Sequence, residues 1–192
     1  MTEQADHTVA DHTVTAEDVA YRRVVCLCVD YSQHARQAVL YAIKHILTPQ
    51  DLCILLHVRP EVAVSAPYGL GYVDLGDAIY HMEKQERNNS HLLLKDLAGE
   101  VKRHGIPVRA IALRGDPRDE ILRKASQLHA SLLICGSRGL SALKRTFMGS
   151  CSTYLVNHSD IPVMVVKMSE ESMPGVVEES HPPVVASVQE QQ

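Results

Sequence analysis

With 192 residues, 45% hydrophobic and 22% charged, the chain is long enough for one domain with a substantial core and has an ordinary globular composition. No apolar run approaches the ~20 residues that cross a bilayer, and the opening MTEQADHTVADHTV lacks the basic start and apolar centre of a secretory signal, so a cytoplasmic protein is expected. The formal charge of −4 is uneven: residues 1–20 hold five acids and residues 169–192 another five, neither with Lys or Arg, leaving a body of +6 without the basic stripe that duplex nucleic acid requires.

The first 20 residues contain ADHTV twice in tandem, too short a repeat for a solenoid, and read as a disordered tail. RVVCLCV (23–29) is an apolar, β-branched run and predicts a buried strand. Ser32 is placed to cap a helix over 33–47 whose stripe is Ala35, Ala38, Val39, Ala42, Ile43 and Ile46. DLCILLHV (51–58) predicts a second strand, followed by a Pro- and Gly-rich loop over 59–76. A long polar helix is expected over 77–104. It carries Leu92, Leu93, Leu94 and Leu97, of which Leu93 is expected to face outward, and Gly105 and Pro107 end it. PVRAIAL (107–113) predicts a third strand. Gly115-Asp116-Pro117 makes a turn, and a helix over 118–129 turns Ile121, Leu122, Ala125 and Leu128 inward. SLLIC (131–135) is a fourth strand. A short helix over 150–158 leads to IPVMVVK (161–167), the fifth, and the acidic, Pro-containing residues 169–192 read as a second disordered tail.

Five strands apolar on both faces, alternating with helices, imply a parallel sheet covered on both sides. Ligands of such sheets sit beyond the carboxyl ends of the strands, where strand order reverses. The groups available there are Asp30-Tyr31-Ser32, His57-Val58-Arg59, Arg114-Gly115-Asp116 and the loop that starts at Gly136. Five cysteines, Cys26, Cys28, Cys53, Cys135 and Cys151, cannot all pair within the chain, and four lie in strand-like runs, so they read as reduced core residues. Cys26-x-Cys28 shares one strand face but has no second Cys or His pair nearby to complete a metal site.

GSRGLSALKRTFMGSCST (136–153) carries the strongest chemical signal. Neither a Walker loop nor the dinucleotide G-x-G-x-x-G is present. Gly136 is expected to allow close backbone approach to a ligand, Gly139 to adopt positive φ and form a nest of N–H groups, and Gly149-Ser150 to open a helix whose first N–H groups are unpaired. Ser150, Ser152 and Thr153 add hydroxyls; Arg138, Lys144 and Arg145 add positive charge with no acid among them. These residues describe an anion site of phosphate size. His57 is read as a structural histidine and Asp116 as a turn residue; no catalytic base stands out.

G-x2-G-x9-G-[ST] after a hydrophobic fourth strand, with VVCLCVDYS, GDPRDEIL and a final PVMVV, resembles the universal stress protein family over about residues 22–168. The resemblance implies one doubly wound α/β domain, strand order 3-2-1-4-5, a homodimer paired through the last strand, and ATP as ligand, with AMP or ADP as alternatives. It assigns Gly136, Gly139, Gly149 and Ser150 to the phosphates and ribose and Ser152 to a phosphate. It places Asp30 beside the nucleotide, where it is also the candidate magnesium ligand, and faces the Val58 backbone to adenine. Arg138 is a further candidate phosphate partner. Ser131, where many relatives carry Asp, departs from the pattern at the far end of the strand. The expected function is an ATP-binding stress-response module with slow or no hydrolysis. The alternatives are a slow Mg-dependent ATPase and a nucleotide-independent interaction module; no nucleic-acid or membrane partner is expected.

Overall fold

The chain alternates strand and helix, in a computed structural model that describes residues 7–8, 21–59, 76–139 and 148–168. In order the elements are β1 (His7–Thr8), β2 (Arg23–Cys28), α1 (Gln33–His45), β3 (Asp51–Arg59), α2 (Gly76–Arg103), β4 (Val108–Arg114), α3 (Pro117–Gln127), β5 (Leu132–Gly136), α4 (Ser150–His158) and β6 (Val163–Val166). The sheet order is β1-β4-β3-β2-β5-β6, with β2 to β6 all parallel. Counting those five alone gives 3-2-1-4-5, as the resemblance implied. The chain runs outward from β2 through β3 to β4, then returns to the other side of β2 as β5 and β6. Strand order therefore reverses between β2 and β5, and a crevice opens there beyond their carboxyl ends.

Alternation along each strand divides the core into two layers. Val25, Leu27, Leu55 and Ile134 face α1 and α2, meeting Ala38, Val39, Leu94 and Val101. Cys26, Ile54, Leu56 and Leu133 face the other way, meeting Ile121, Ala125 and Leu155 of α3 and α4. Leu27, Leu55, Leu56, Leu133 and Leu155 are at most 1% exposed, and burying each contributes about 1.5–3 kcal/mol. Helix starts follow local chemistry: Ser32 accepts the Ala35 N–H at 3.1 Å, and Asp116 accepts the Arg118 N–H at 2.9 Å ahead of Pro117. Gly105, with φ 69°, closes α2 as expected of a left-handed cap.

Three details correct the sequence reading. Leu92, not Leu93, points outward: it is 66% exposed, whereas Leu93 packs against the core. The buried stripe of α2 is Ser90, Leu94, Leu97 and Val101, and a fully buried serine hid that register from a pattern based on apolar residues. Helix α3 ends at Gln127 because His129 turns to φ 49°. Within the segment read as a tail, His7 and Thr8 pair antiparallel with Ala112 and Ile111 and extend the sheet beyond β4. An edge strand presents unpaired N–H and C=O groups that a short extended stretch can satisfy. The rest of that segment and residues 169–192 lie outside the described residues.

One buried ion pair was not anticipated. Asp51, fully buried at the start of β3, accepts from Arg23 Nε at 2.8 Å, from the Thr48 N–H at 2.8 Å and from Thr48 Oγ1 at 3.0 Å. Arg23 also donates to the Ile46 carbonyl at 2.8 Å. The cluster ties β2, β3 and the end of α1 together on the face away from the crevice.

Candidate functional site

A cleft of about 990 Å³ lies over the carboxyl ends of β2, β3 and β5. Its walls include the eight residues that the family resemblance assigned to the ligand: Asp30, Val58, Gly136, Arg138, Gly139, Gly149, Ser150 and Ser152; Thr153 is not among them. They come from four segments distant in sequence, brought together because parallel crossovers return each strand's exit to one edge of the sheet.

Asp30 follows β2 and folds back on its own turn. Its Oδ1 accepts the backbone N–H and the hydroxyl of Ser32, while Oδ2 faces Gly139. The Ser32 hydroxyl also lies 3.3 Å from the Arg138 carbonyl, linking the start of α1 to the glycine loop. One carboxylate oxygen is thus occupied by turn capping, and the other lies at the wall of the cleft. Among the described residues no group of three or more His, Cys, Asp or Glu could hold a metal ion, so Asp30 would meet magnesium only as one ligand beside a ligand's phosphates.

The glycines are needed for reasons partly different from those expected. A Cβ at Gly136 would lie 2.7 Å from the backbone carbonyl carbon and oxygen of His34, so glycine there admits helix α1 rather than a ligand. Gly139 is not at positive φ; among the described glycines only Gly105 and Gly115 are. Its constraint is Asp30 Oδ2, which a Cβ would approach to 2.8 Å. Gly149 caps α4 with φ −73° and ψ 158° and offers no side-chain acceptor. The N–H groups of Ser150, Cys151 and Ser152 therefore open the helix without a side chain across them. Ser150 is exposed at the first helical position, whereas Ser152 is buried and lies 3.0 Å from the Gly149 carbonyl and 3.2 Å from that of Ser137. Arg138 forms no ion pair among the described residues. Lys144 and Arg145 lie outside them.

The α3/α4 side of the cleft is apolar: Cys28, Leu56, Val58, Ile121, Cys135 and Cys151 line it and belong to that side of the core. Apart from Val58, the sequence reading placed none of these at a ligand wall, since a residue at a strand's last turn can serve both core and cleft. Asp116 caps α3 and pairs with Arg118 at 2.7 Å; that hydrogen-bonded pairing holds its carboxyl down to about 2. His57 is buried and directs Nδ1 to the Val29 carbonyl at 2.8 Å, and burial pushes its pKa down, so it is a neutral structural histidine as expected.

All five thiols are free. Burial pushes Cys26 and Cys135 up to about 12 and Cys151 up to about 11, and raises Cys28 and Cys53 as well. Thiolate is the reactive form. Alkylation by iodoacetamide at pH 8 is therefore expected to run more than about tenfold slower in the native protein than in urea, with all five sites labelled only after unfolding. A thiol that reacts fully in the native state, read by mass spectrometry, would contradict the burial described here.

The universal stress protein family model matches residues 21–167, nearly the whole of this domain. The chain belongs to the universal stress protein family. Universal stress protein PHOS34 of Arabidopsis thaliana is 29% identical over 165 residues, a match covering 78% of this chain and 64% of the relative; the chain thus spans about two thirds of the plant relative's length. Universal stress protein MJ0577 of Methanocaldococcus jannaschii is 27% identical over 161 residues, and its solved structure superposes with a TM-score of 0.64, covering 78% of this chain and 99% of that one. A universal stress protein family member from Arabidopsis thaliana, solved with AMP bound, superposes with a TM-score of 0.58 at 21% identity, covering 80% and 97%. At these identities the superpositions establish the shared doubly wound fold. No helix of the described residues is long and apolar enough to cross a membrane.

Proposed function

We propose that this universal stress protein binds an adenine nucleotide in the cleft and acts as a stress-response module whose output is occupancy rather than turnover. The observation that carries the reading is the N-terminal turn of α4, with no side-chain cap across its N–H groups, meeting Gly139, Arg138 and Asp30 at the sheet's reversal point. Orphan N–H groups and the helix dipole suit phosphate oxygens. The apolar wall of Leu56, Val58 and Ile121 suits a base, and the carboxylate of Asp30 suits ribose hydroxyls. The AMP carried by the Arabidopsis relative supports adenine as the base. ATP, with AMP or ADP in its place, is the ligand we favour; magnesium would arrive on its phosphates and be met by Asp30 Oδ2.

Binding without turnover is favoured over a slow Mg-dependent ATPase because the carboxylate and imidazole groups nearest the glycine loop are held by structural partners. Asp30 Oδ1 is engaged by Ser32, Asp116 by Arg118 and His57 by Val29. The β6 edge, Val163–Val166, is the surface we assign to homodimer pairing, and five unpaired thiols suit a reducing compartment such as the cytoplasm.

Thermal melting with added AMP, ADP and Mg-ATP tests the reading. A hundredfold excess over Kd is expected to stabilise the protein by ~2.7 kcal/mol. Gly149→Val should abolish that gain, because its side chain would stand at the N-cap, over the first N–H groups of α4. No stabilisation of the wild type by any adenine nucleotide would refute nucleotide binding and favour an interaction module that works without one.

A further inference from the structure

The far side of the cleft holds a cation that the nucleotide reading leaves unused. Arg59 and Arg114 are register partners at the last positions of β3 and β4. Arg114 is neutralised by Glu83 of α2 at 2.9 Å. Arg59 lines the cleft, yet its guanidinium forms no ion pair among the described residues, and its Nε is buried with no hydrogen-bond partner. Glu86 shares the cleft wall without pairing with it. A buried charged donor without an acceptor is costly, more so than a neutral one. Burial, and then the like charges of Arg87 and Arg114, push the Arg59 pKa down against the weaker opposing pull of Glu83 and Glu86, so an anion beside it would offset that repulsion.

Position in the strand fixes the direction. Val58 packs into the α3/α4 side of the core. Arg59, the next residue, therefore turns to the α1/α2 side, with His57 and near Tyr31, which also line the cleft. The remaining cleft guanidiniums are Arg118, held by Asp116, and Arg138, unpaired after β5. Strands β3 and β5 flank β2. Arg59 at the end of β3 and Arg138 beyond the end of β5, neither ion-paired among the described residues, thus stand on opposite sides of the central strand.

We propose that Arg59 is the cation of a second anion subsite on the α1/α2 side of the cleft, and that the ligand is a nucleotide bearing a second anionic group away from the phosphates at the α4 turn. The nucleotide half of the proposal rests on the adenine-nucleotide reading above; the anion subsite does not. A planar guanidinium suits phosphate, which accepts two parallel N–H bonds.

Two measurements test it on the full chain. In 15N-labelled protein, the Arg59 Nε–H resonance, assigned by its loss in Arg59→Gln, should shift saturably with inorganic phosphate; an unmoved resonance overturns the subsite. Calorimetry should show adenosine 3′,5′-bisphosphate binding about tenfold tighter than AMP. Arg59→Gln should shrink that difference to under about twofold and leave AMP affinity unchanged, while Arg59→Lys, should the glutamine variant fold poorly, should keep part of it. Equal affinity of the two nucleotides in the wild type, or an equal loss for both in the variants, overturns the doubly anionic ligand. A phosphate-induced shift at Arg59 with no binding of either nucleotide would retain the subsite and remove the adenine reading.

Discussion

Asp51→Ala is expected to lower the stability of this domain by about 3 kcal/mol, or about 6–12 °C in melting temperature. Asp51 is fully buried and accepts four hydrogen bonds, two from Arg23 and two from Thr48. Truncation leaves a partly buried guanidinium without its counter-charge and two Thr48 donors without an acceptor. The Arg23 side chain is 30% exposed, so water recovers part of the loss, which sets the expectation at the low end of the buried-pair range. Chemical denaturation at pH 7 measures it. A change below about 1 kcal/mol would show that the cluster adds little net stability.

The same pair sets an acid limit. Burial, the largest single influence, pushes the Asp51 carboxyl up, but the hydrogen bonds from Arg23 and Thr48 outweigh it, and the net position is below the usual carboxylate range. A carboxyl depressed on folding contributes stability that is fully present above its unfolded value of about 3.9 and lost as pH falls through the lower folded value. The wild type should therefore lose its margin over Asp51→Ala only below about pH 4, not through the neutral range.

Gly136→Ala is expected to cost about 2 kcal/mol, or about 4–8 °C. The new Cβ would sit 2.7 Å from the His34 carbonyl group and 3.0 Å from the Ala35 N–H. These are backbone atoms of the first turn of α1 and cannot rotate away. The helix start must move, and with it Ser32, which holds Asp30 and touches the Arg138 carbonyl. Nucleotide affinity should fall together with stability. Gly149→Ala, with its nearest contact at 3.5 Å, should leave the melt nearly unchanged. Equal melts for the two alanine variants would refute the assignment of Gly136 to helix packing.

The layout of this fold was legible because its signals are local. Apolar β-branched runs marked the five parallel strands, Ser32 and Pro117 marked helix starts, and Gly105 marked a helix end. The cleft was legible too, since parallel crossovers leave few places for strand exits to converge, and all eight candidate residues lie on its walls. The register of α2 was not, because Ser90 occupies a buried position that apolar patterning assigns elsewhere. Nor were the two residues that extend the sheet edge, whose pairing depends on an unfilled ladder 100 residues away in the chain.

Sequence by itself determined the fold class, a consequence of composition and period along neighbouring residues, and it pointed to the family through the resemblance that G-x2-G-x9-G-[ST] and its flanking motifs carry. Tertiary structure alone decided why each glycine is needed. Gly136 yields to a helix backbone and Gly139 to a carboxylate, contacts made by segments about 100 residues apart in the chain. It also decided which charges are committed. Asp51, Asp116 and Arg114 have partners, and among the described residues Arg59 and Arg138 form no ion pair. A charge's partner is set by distance in space, which sequence separation does not encode.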